Sequence, residues 1–508
     1  MTNAPPTESA SGPLIRTAAG ALRGTWEAGL AVFRGIPFAE PPVGPLRFAA
    51  PRPARAWSGV RAAVSYGPQP PQPGLFGEIA VPAQGDDWLS VNLWSPDPAP
   101  GAGLPVLVWI PGGGYVIGAS SLPEFDGGRL ASGGVVVVTV NYRLGVEGFA
   151  QIAGAPANRG LLDQLAALRW VHENIAAFGG DPDRVTVFGQ SAGAGSVAAL
   201  LVMPLAAGLF RRAVVQSMPG VFFTPELAAD IAGACACELG LRPTVGDLST
   251  VAPDRLPAVG EAVSAKIGRW QKRWGPITHR PIPFAPVVDG DVLPDAPWRA
   301  LADGAARNVE LLIGHTRDEH RLFSLIDGSL GQVTDERADE ALRMLAPGPD
   351  GAARYREAFP AAGGEELYEL VNADWLFRMP TLRLAQAHAA VGRTFFYELT
   401  WTAPGMGGAL GACHGLDIPL VFGNLRSGGP GQLIGETPSE AAEVLSARMR
   451  AAWTQFATDG TPGWATFDDE RRLVQLFDDR SSLAAYPEDA SRRLWLSHTF
   501  RALPLDDR

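Results

Sequence analysis

A serine placed between two glycines is the first candidate for chemistry in this chain. The segment Gly189-Gln190-Ser191-Ala192-Gly193 follows a short apolar run, residues 185–188, and precedes a small-residue stretch, about 192–201, that favours a helix. A strand that turns sharply into a helix exposes the serine, and the crowded turn needs glycine on both sides. The helix N-terminus adds positive potential where an oxyanion would form. Ser191 is therefore predicted to be a nucleophile, although 60 glycines make a chance match common.

Consecutive glycines at 112–114 follow a second apolar run, residues 104–110. Backbone N–H groups with no side chain in the way can approach a reacting carbonyl and stabilise negative charge on its oxygen. We expect the N–H groups of Gly113, Gly114 and Ala192 to form such an oxyanion hole. The alternative is an ordinary glycine-rich turn.

The overall composition argues against several classes of partner. The chain has 508 residues, of which 46% are hydrophobic and 19% charged, and its formal net charge is −11. No cluster of Lys and Arg indicates a nucleic-acid partner or an anionic membrane surface. Residues 1–13 lack the apolar core of a signal peptide, and no run of about 18 apolar residues could span a bilayer. A cytoplasmic location is the expectation.

The cysteines and other candidate ligands predict neither disulfides nor a metal. Cys235, Cys237 and Cys413 are odd in number and lack framework spacing. Cys235 and Cys237 lie two apart in a predicted helix, where such residues do not face each other, so small buried side chains are the expectation. No cluster of His, Cys or carboxylate residues has ligand spacing, and no cofactor is implied.

The apolar pattern predicts the elements that must position these residues. Five continuous runs are typical of strands covered on both faces: residues 104–110, 135–140, 185–188, 213–215 and 309–313. A helical repeat of apolar residues covers 161–178. Strands that alternate with helices imply an α/β fold with a mostly parallel sheet.

The rest of the chain is expected to surround this sheet. Residues 14–38 alternate short apolar runs with glycine turns, which indicates antiparallel hairpins. Two helix-rich stretches, about 222–300 and 320–390, are expected as insertions packed over one end of the sheet. Residues 1–13 are predicted to be disordered, and residues 14–508 to form a single domain.

Several motifs together resemble the type B carboxylesterase family, which includes the cholinesterases. The resemblance runs from about residue 14 to 500 and implies the α/β-hydrolase fold. Its landmarks are Phe33-Arg34-Gly35-Ile36-Pro37-Phe38-Ala39-Glu40-Pro41-Pro42-Val43-Gly44, Asn141-Tyr142-Arg143-Leu144-Gly145, Gly160-Leu161-Leu162-Asp163-Gln164, Phe178-Gly179-Gly180-Asp181-Pro182 and Phe188-Gly189-Gln190-Ser191-Ala192-Gly193-Ala194.

The resemblance also implies the remaining members of a catalytic triad, in the chain order nucleophile, acid, base. Thr316-Arg317-Asp318-Glu319 is similar to the family's acid motif and implies Glu319 as the acid. Gly411-Ala412-Cys413-His414-Gly415 is similar to its histidine loop and implies His414 as the base. Asp318 remains a rival acid, whose alternative is to face solvent or a local amide.

The seven histidines are consistent with this choice of base. Only His414 combines a glycine-rich loop with the required chain order. His172 and His388 lie on predicted helices, where packed or solvated roles are expected. His315 and His320 bracket the acid motif in sequence, and either could line the site.

The resemblance suggests further residues around the triad. Gln190 stands where cholinesterases carry glutamate, and a neutral amide should weaken attraction for a cationic substrate. Ser217 and Asp417 look like a family pair that hydrogen-bonds near the triad, the alternative being turn capping. Phe222 and Phe223 could line an acyl pocket, although adjacent aromatics are more often core.

The chain departs from the family in one loop. Pro70 and Trp88 stand where relatives usually pair two cysteines, which fits a reducing compartment. Arg47 and Asp86 match a family salt bridge that would tie this loop down. The choline-binding tryptophan of cholinesterases has no clear counterpart, so a cholinesterase is not expected.

The resulting hypothesis is a serine carboxylesterase that hydrolyses neutral esters through an acyl-enzyme. A small-molecule ester is the expected partner, and the oligomeric state is not indicated. Two alternatives remain: a related hydrolase acting on carbamates, amides or thioesters, and a non-catalytic binding relative.

Overall fold

The computed structural model describes residues 12–74 and 85–506. The disorder predicted for residues 1–13 therefore falls mostly outside the described residues. Pro13 is described and buried, and its carbonyl accepts a hydrogen bond from the Gly24 N–H at 3.0 Å.

The apolar runs form the strands of a large mixed sheet. In chain order the strands of the described residues are β1 (Leu14–Arg16), β2 (Ala21–Arg23), β3 (Thr25–Glu27), β4 (Leu30–Pro37), β5 (Val60–Ala62), β6 (Ser90–Ser95), β7 (Leu104–Ile110), β8 (Val136–Val140), β9 (Gly180–Gln190), β10 (Arg212–Gln216), β11 (Glu310–Thr316), β12 (Thr394–Leu399), β13 (Leu473–Phe477) and β14 (Ser482–Ala485). Each of the five predicted runs lies in one of these strands, except that Val135 and Val309 each precede their strand by one residue. The run 185–188 extends in both directions to become β9.

Eleven of these strands form one sheet in the order β14-β13-β12-β11-β10-β9-β7-β8-β6-β4-β3, and β1, β2 and β5 form a small second sheet. Seven neighbouring strands, β13-β12-β11-β10-β9-β7-β8, pair in parallel. Antiparallel strands are added at both edges of this parallel part. The predicted N-terminal hairpins are confirmed as β1–β2 and β3–β4. Because the carboxyl ends of β7, β9 and β11 meet at one edge, the segments that follow them are brought together.

Helices cover both faces of the sheet. They are α1 (Gly128–Ala131), α2 (Gly145–Phe149), α3 (Arg159–Asn174), α4 (Ala192–Val202), α5 (Pro225–Cys237), α6 (Val245–Leu248), α7 (Leu256–Ala265), α8 (Gln271–Trp274), α9 (Pro297–Ala302), α10 (Arg321–Ile326), α11 (Asp335–Leu345), α12 (Gly351–Ala358), α13 (Gly364–Ala373), α14 (Met379–Ala389), α15 (Asp417–Phe422), α16 (Gly428–Ile434), α17 (Glu440–Asp459) and α18 (Asp489–Leu494). A π-helical turn, Asp374–Arg378, joins α13 to α14. The helix predicted over 161–178 is formed by α3 and by the 3-10 turn Ile175–Phe178 that follows it. Gly179, with φ 84°, ends this turn.

The two predicted helical insertions are present as α5–α9 and α10–α14. Phe284 from the first and Phe377 from the second line the same cavity as Ser191. The insertions therefore cover the carboxyl edge of the sheet, as the sequence predicts.

Two expectations outside the site are wrong. Arg47 pairs with Glu147 at 2.7 Å, and both are buried, whereas Asp86 is exposed. Burial favours Glu147 because a buried cation needs a partner that is also withdrawn from water. Cys237 is exposed at the C-terminal end of α5, while Cys235 one half-turn earlier is buried, and all three cysteines are free.

Candidate active site

Ser191 lies at a strained turn between β9 and α4. Its backbone adopts φ 56° and ψ −126°, which is unfavourable for a residue with a side chain and costs about 1–3 kcal/mol. A Cβ on Gly193 would lie 2.1 Å from the Ile110 carbonyl oxygen, and one on Gly189 would lie 2.6 Å from Gly193. The turn therefore tolerates only glycine on either side of the serine, as predicted.

Glu319 and His414 form a buried hydrogen-bonded pair. His414 Nδ1 lies 2.6 Å from Glu319 Oε2, and the Thr316 N–H donates to Glu319 Oε1 at 2.9 Å. Burial alone would raise the pKa of Glu319, but the charge and hydrogen bond of His414 outweigh it and hold the pKa below its usual value. The ionised carboxylate requires Nδ1 to carry the proton, which leaves Nε2 of a neutral His414 as an acceptor.

Asp318 has a different role from its neighbour. Its Oδ2 accepts the Ala412 N–H at 2.8 Å, and its own N–H donates to the Ala412 carbonyl at 2.9 Å. Asp318 also pairs with Arg317 and Arg321 at 3.4 and 3.7 Å. This rival acid therefore fixes the loop that carries His414 and does not face the imidazole.

Gln190 joins the histidine to the serine turn. Its Nε2 lies 3.1 Å from His414 Nε2, and Gln190 is only 3% exposed. Within the described residues, Ser191 Oγ makes no hydrogen bond. The sequence indicated an electrostatic effect of Gln190 on cationic substrates but not this direct contact.

Two phenylalanines that sequence reasoning missed enclose the imidazole. The ring centroids of Phe377 and Phe323 lie 4.2 and 5.2 Å from that of His414. Phe377 belongs to the π-helical turn, a feature that often marks functional sites. Nothing in the local sequence distinguishes these aromatics from core residues, because their role depends on how the second insertion packs.

The glycines after β7 are shaped as an oxyanion hole requires. Gly113 and Gly114 adopt φ 116° and 61°, and a Cβ on Gly112 would lie 3.1 Å from Ser191 Cβ. Among the described residues, the N–H groups of Gly113, Gly114 and Ala192 have no acceptor. Three backbone donors are thus free beside the serine.

Ser217 and Asp417 both lie near the triad, but they are not hydrogen-bonded to each other. Asp417 Oδ2 accepts from Gln216 Nε2 at 2.8 Å and from the Tyr397 hydroxyl at 3.0 Å. The Ser217 hydroxyl lacks full hydrogen-bond geometry within the described residues, yet its proximity helps lower the pKa of Glu319. Burial raises the pKa of Asp417 to about 6, and the hydrogen bond from Gln216 only partly opposes this.

The other histidines near the acid do not line the cavity. His315 is buried, and its Nε2 lies 3.0 Å from the Tyr486 hydroxyl. His320 is buried against Glu369 and Ser324, with Nδ1 3.3 and 3.2 Å from their oxygens. His388 is packed within α14, as expected.

A cavity of about 490 Å³ opens beside Ser191. Its apolar lining comes from the segment after β10 and from both insertions: Pro219, Val221, Ile282, Phe284, Phe323, Leu376 and Phe377. The same cavity is also lined by the polar side chains of Glu147, Glu261, His279, Arg280 and Asp327. Phe222 and Phe223 are fully buried, Phe222 packs edge-on against Trp298 at 5.4 Å, and neither lines the cavity. Their predicted pocket role is therefore wrong, because the chain after β10 turns these side chains into the core.

Residues 12–74 and 85–506 contain neither a candidate metal centre nor a candidate membrane span. No group of three or more His, Cys, Asp and Glu side chains is arranged to hold a metal ion. No helix of this part of the chain combines the length and apolar character needed to cross a bilayer.

Comparison with known proteins places the chain in a family. A sequence profile described as "Carboxylesterase family" matches residues 11–481. Para-nitrobenzyl esterase of Bacillus subtilis (strain 168) is 38% identical, over 94% of this chain and 98% of the relative. Phenmedipham hydrolase of Pseudarthrobacter oxydans is 36% identical, over 95% and 99%.

A solved structure extends the likeness to the fold. The crystal structure of a carboxylesterase from Geobacillus stearothermophilus at pH 6.2 superposes with a TM-score of 0.83 at 37% identity, covering 95% of this chain and 99% of that one. The α/β-hydrolase fold and the family resemblance predicted from the motifs are thus confirmed. This chain belongs to the carboxylesterase family and is a serine hydrolase of carboxylic esters.

Proposed function

We propose that Ser191, His414 and Glu319 are the nucleophile, base and acid of ester hydrolysis. The observation that carries this assignment is the convergence of a strained serine turn with a buried His414–Glu319 pair at 2.6 Å, linked through Gln190. An ionised, buried carboxylate on Nδ1 fixes the tautomer in which Nε2 can accept a proton.

In the first half-reaction, Ser191 Oγ attacks the ester carbonyl carbon while its proton passes to His414 Nε2. The carbonyl oxygen gains negative charge, and the free N–H groups of Gly113, Gly114 and Ala192 would donate hydrogen bonds to it. Each such hydrogen bond stabilises the transition state by about 3 kcal/mol. The bond to the alcohol oxygen then breaks, and His414 returns the proton to that oxygen. The alcohol leaves an acyl group on Ser191.

In the second half-reaction, water replaces the alcohol. His414 Nε2 takes one proton from the water as its oxygen attacks the acyl carbon, and the same oxyanion donors hold the developing charge. The bond to Ser191 Oγ breaks, the serine recovers its proton from His414, and a carboxylic acid is released.

Neutral esters with apolar groups on either side of the carbonyl are the proposed substrates. The apolar walls of the 490 Å³ cavity favour such groups, and the uncharged Gln190 offers no counter-ion for a cation beside the base. The para-nitrobenzyl esterase relative carries an aromatic ester in its name, which is compatible with a cavity of this kind.

Two further properties of the chain are proposed on the same footing. A cytoplasmic location is supported by the free, buried thiols of Cys235 and Cys413, which suit a reducing compartment. A single domain over residues 14–508 is supported by one sheet that takes strands from β3 to β14.

Ser191→Ala tests the nucleophile most directly. Turnover of a p-nitrophenyl ester should fall by about 10⁴-fold or more, and covalent labelling by an organophosphate should disappear, while the melting temperature is retained. Ser446→Ala is the matched control, because it removes a buried hydroxyl that donates to the Leu420 carbonyl outside the cavity. Full activity of the Ser191 variant would remove this serine from the mechanism.

A further inference from the structure

The imidazole acceptor that the reaction needs is already occupied. Among the described residues, His414 Nε2 has one hydrogen-bond partner, Gln190 Nε2, at 3.1 Å. The Gln190 side chain makes no other hydrogen bond in this part of the chain and is almost fully buried. Its amide is therefore committed to the histidine.

The direction of this hydrogen bond follows from the other side of the ring. Nδ1 carries a proton because it faces the ionised Glu319 at 2.6 Å. A neutral His414 then has only a lone pair at Nε2, so the amide of Gln190 must present N–H to it. An N–H donor stabilises the neutral ring and repels a protonated Nε2.

We propose that Gln190 is a positioning residue that holds His414 in its neutral, proton-accepting form and so extends activity to lower pH. The inference rests on the proposed function, because it assumes that His414 is the general base. A carboxylate at position 190 would do the opposite, because it would accept a hydrogen bond from a protonated Nε2 and so stabilise the imidazolium.

The other groups around His414 make this role necessary. Glu319 faces Nδ1 and favours the charged imidazole, and Asp417 on α15 adds to this once it ionises, because burial raises its pKa to about 6. Burial lowers the pKa of His320 well below its usual value, so His320 adds no charge, and the faces of Phe323 and Phe377 exclude water. The amide of Gln190 adds an uncharged donor at the one ring atom that must stay unprotonated.

The contact must also be released during turnover. When Ser191 Oγ loses its proton to His414 Nε2, the new N–H can no longer accept from the amide. Rotation of the Gln190 carboxamide by about 180° would present Oε1 in place of N–H at little steric cost, because the two ends are nearly the same size. Methionine has a similar shape but lacks both the N–H donor and the oxygen acceptor of the amide.

The test compares the acidic limb of kcat/KM against pH for the wild type, Gln190→Met and Gln190→Glu, using an uncharged p-nitrophenyl ester. The midpoint should rise in that order, and the glutamate should move it up by about one pH unit or more, because a negative charge within 4 Å favours the imidazolium. Ile326→Glu is the matched control. It adds a carboxylate at an exposed position of the same cavity, where solvent screens the charge, and should leave the midpoint in place.

The inference is overturned if the glutamate variant keeps the wild-type midpoint, or if Ile326→Glu shifts it equally. A melting temperature measured on every variant identifies one that does not fold, and Gln190→Met alone then decides by raising the midpoint or leaving it unchanged. If the folded wild type shows no acidic limb and His414→Ala keeps full activity, the proposed base is wrong, and the inference falls with it.

Discussion

The ring of Phe377 lies over the imidazole of His414, with centroids 4.2 Å apart and planes 31° from parallel. This contact links the cavity wall to the proposed base, because Phe377 also lines the cavity beside Ser191. The π-helical turn Asp374–Arg378 sets the position of the phenylalanine, and its Arg378 is anchored by Asp374 at 2.6 Å. The second helical insertion therefore helps to hold the histidine in place.

Phe377→Leu should lower kcat by about threefold to tenfold, because an aromatic contact of this kind is worth about 0.5–1.5 kcal/mol. Steady-state kinetics on a p-nitrophenyl ester measure the effect. Phe395→Leu is the matched control, since Phe395 is equally buried on β12 but packs against Phe456 on the other face of the sheet. The control should lose stability and keep its kcat; equal kcat for both variants would argue against a positioning role.

Glu319→Gln and Asp318→Asn form a second matched pair, one carboxylate at a time. The glutamine should reduce kcat by about 10⁴-fold, because a neutral amide can hold the wrong tautomer of His414. The asparagine keeps an acceptor for the Ala412 N–H and should change kcat by no more than about threefold, at some cost in melting temperature. Reversed effects would make Asp318 the acid.

The fold and the Ser191 turn follow from local patterns in the sequence, whereas Glu319 and His414 are implied by the family resemblance. β-branched runs such as Leu104–Ile110 can be buried on both faces only in a central strand, and the strained Ser191 turn leaves its mark as two obligatory glycines. The parallel arrangement then brings the ends of β7, β9 and β11 together without further information.

The cavity could not be predicted in the same way. Phe222 and Phe323 are both apolar residues in helix-rich insertions, yet the first is core and the second faces His414. Which one lines the site depends on the path of the insertions, which no periodicity encodes. The exchange of Asp86 for Glu147 as the partner of Arg47 has the same origin, because α2 lies closer to that arginine.

Gly113 and Gly114 should differ in their tolerance of alanine. A Cβ on Gly113 would lie 2.2 Å from the Ile117 carbonyl oxygen, whereas a Cβ on Gly114 meets nothing nearer than Val116 Cγ2 at 3.8 Å. Gly113→Ala should therefore displace the oxyanion loop and reduce kcat by about 100-fold or more. Gly114→Ala should cost about 1 kcal/mol of stability, because alanine is strained in the left-handed backbone conformation of this residue. It should retain most of the activity.

If both variants lose activity equally while their melting temperatures match that of the wild type, the steric distinction is wrong. If Gly114→Ala is instead the more damaging change, catalysis must be more sensitive to the position of the Gly114 N–H than to that of Gly113. Activity and thermal unfolding are measured on the same preparations so that a collapsed loop is separated from a collapsed fold.

Asp417 should make stability depend on pH. Burial raises its pKa from 3.8 to about 6, so folded Asp417 keeps its proton at pH values where the unfolded chain has lost it. Its stabilising contribution is fully present below pH 3.8 and is lost as the pH rises through about 6. Asp417→Asn cannot titrate and should gain about 2 kcal/mol of unfolding free energy relative to the wild type between about pH 4 and pH 8.

Urea unfolding of both proteins at these two pH values measures that gain. Asp303→Asn is the control, because it makes the same exchange at an exposed position. A difference for Asp417→Asn that does not vary with pH would mean that the hydrogen bonds from Gln216 and Tyr397 fully compensate for the burial of the carboxylate. A gain in the opposite direction would mean that Asp417 is ionised in the folded protein at low pH.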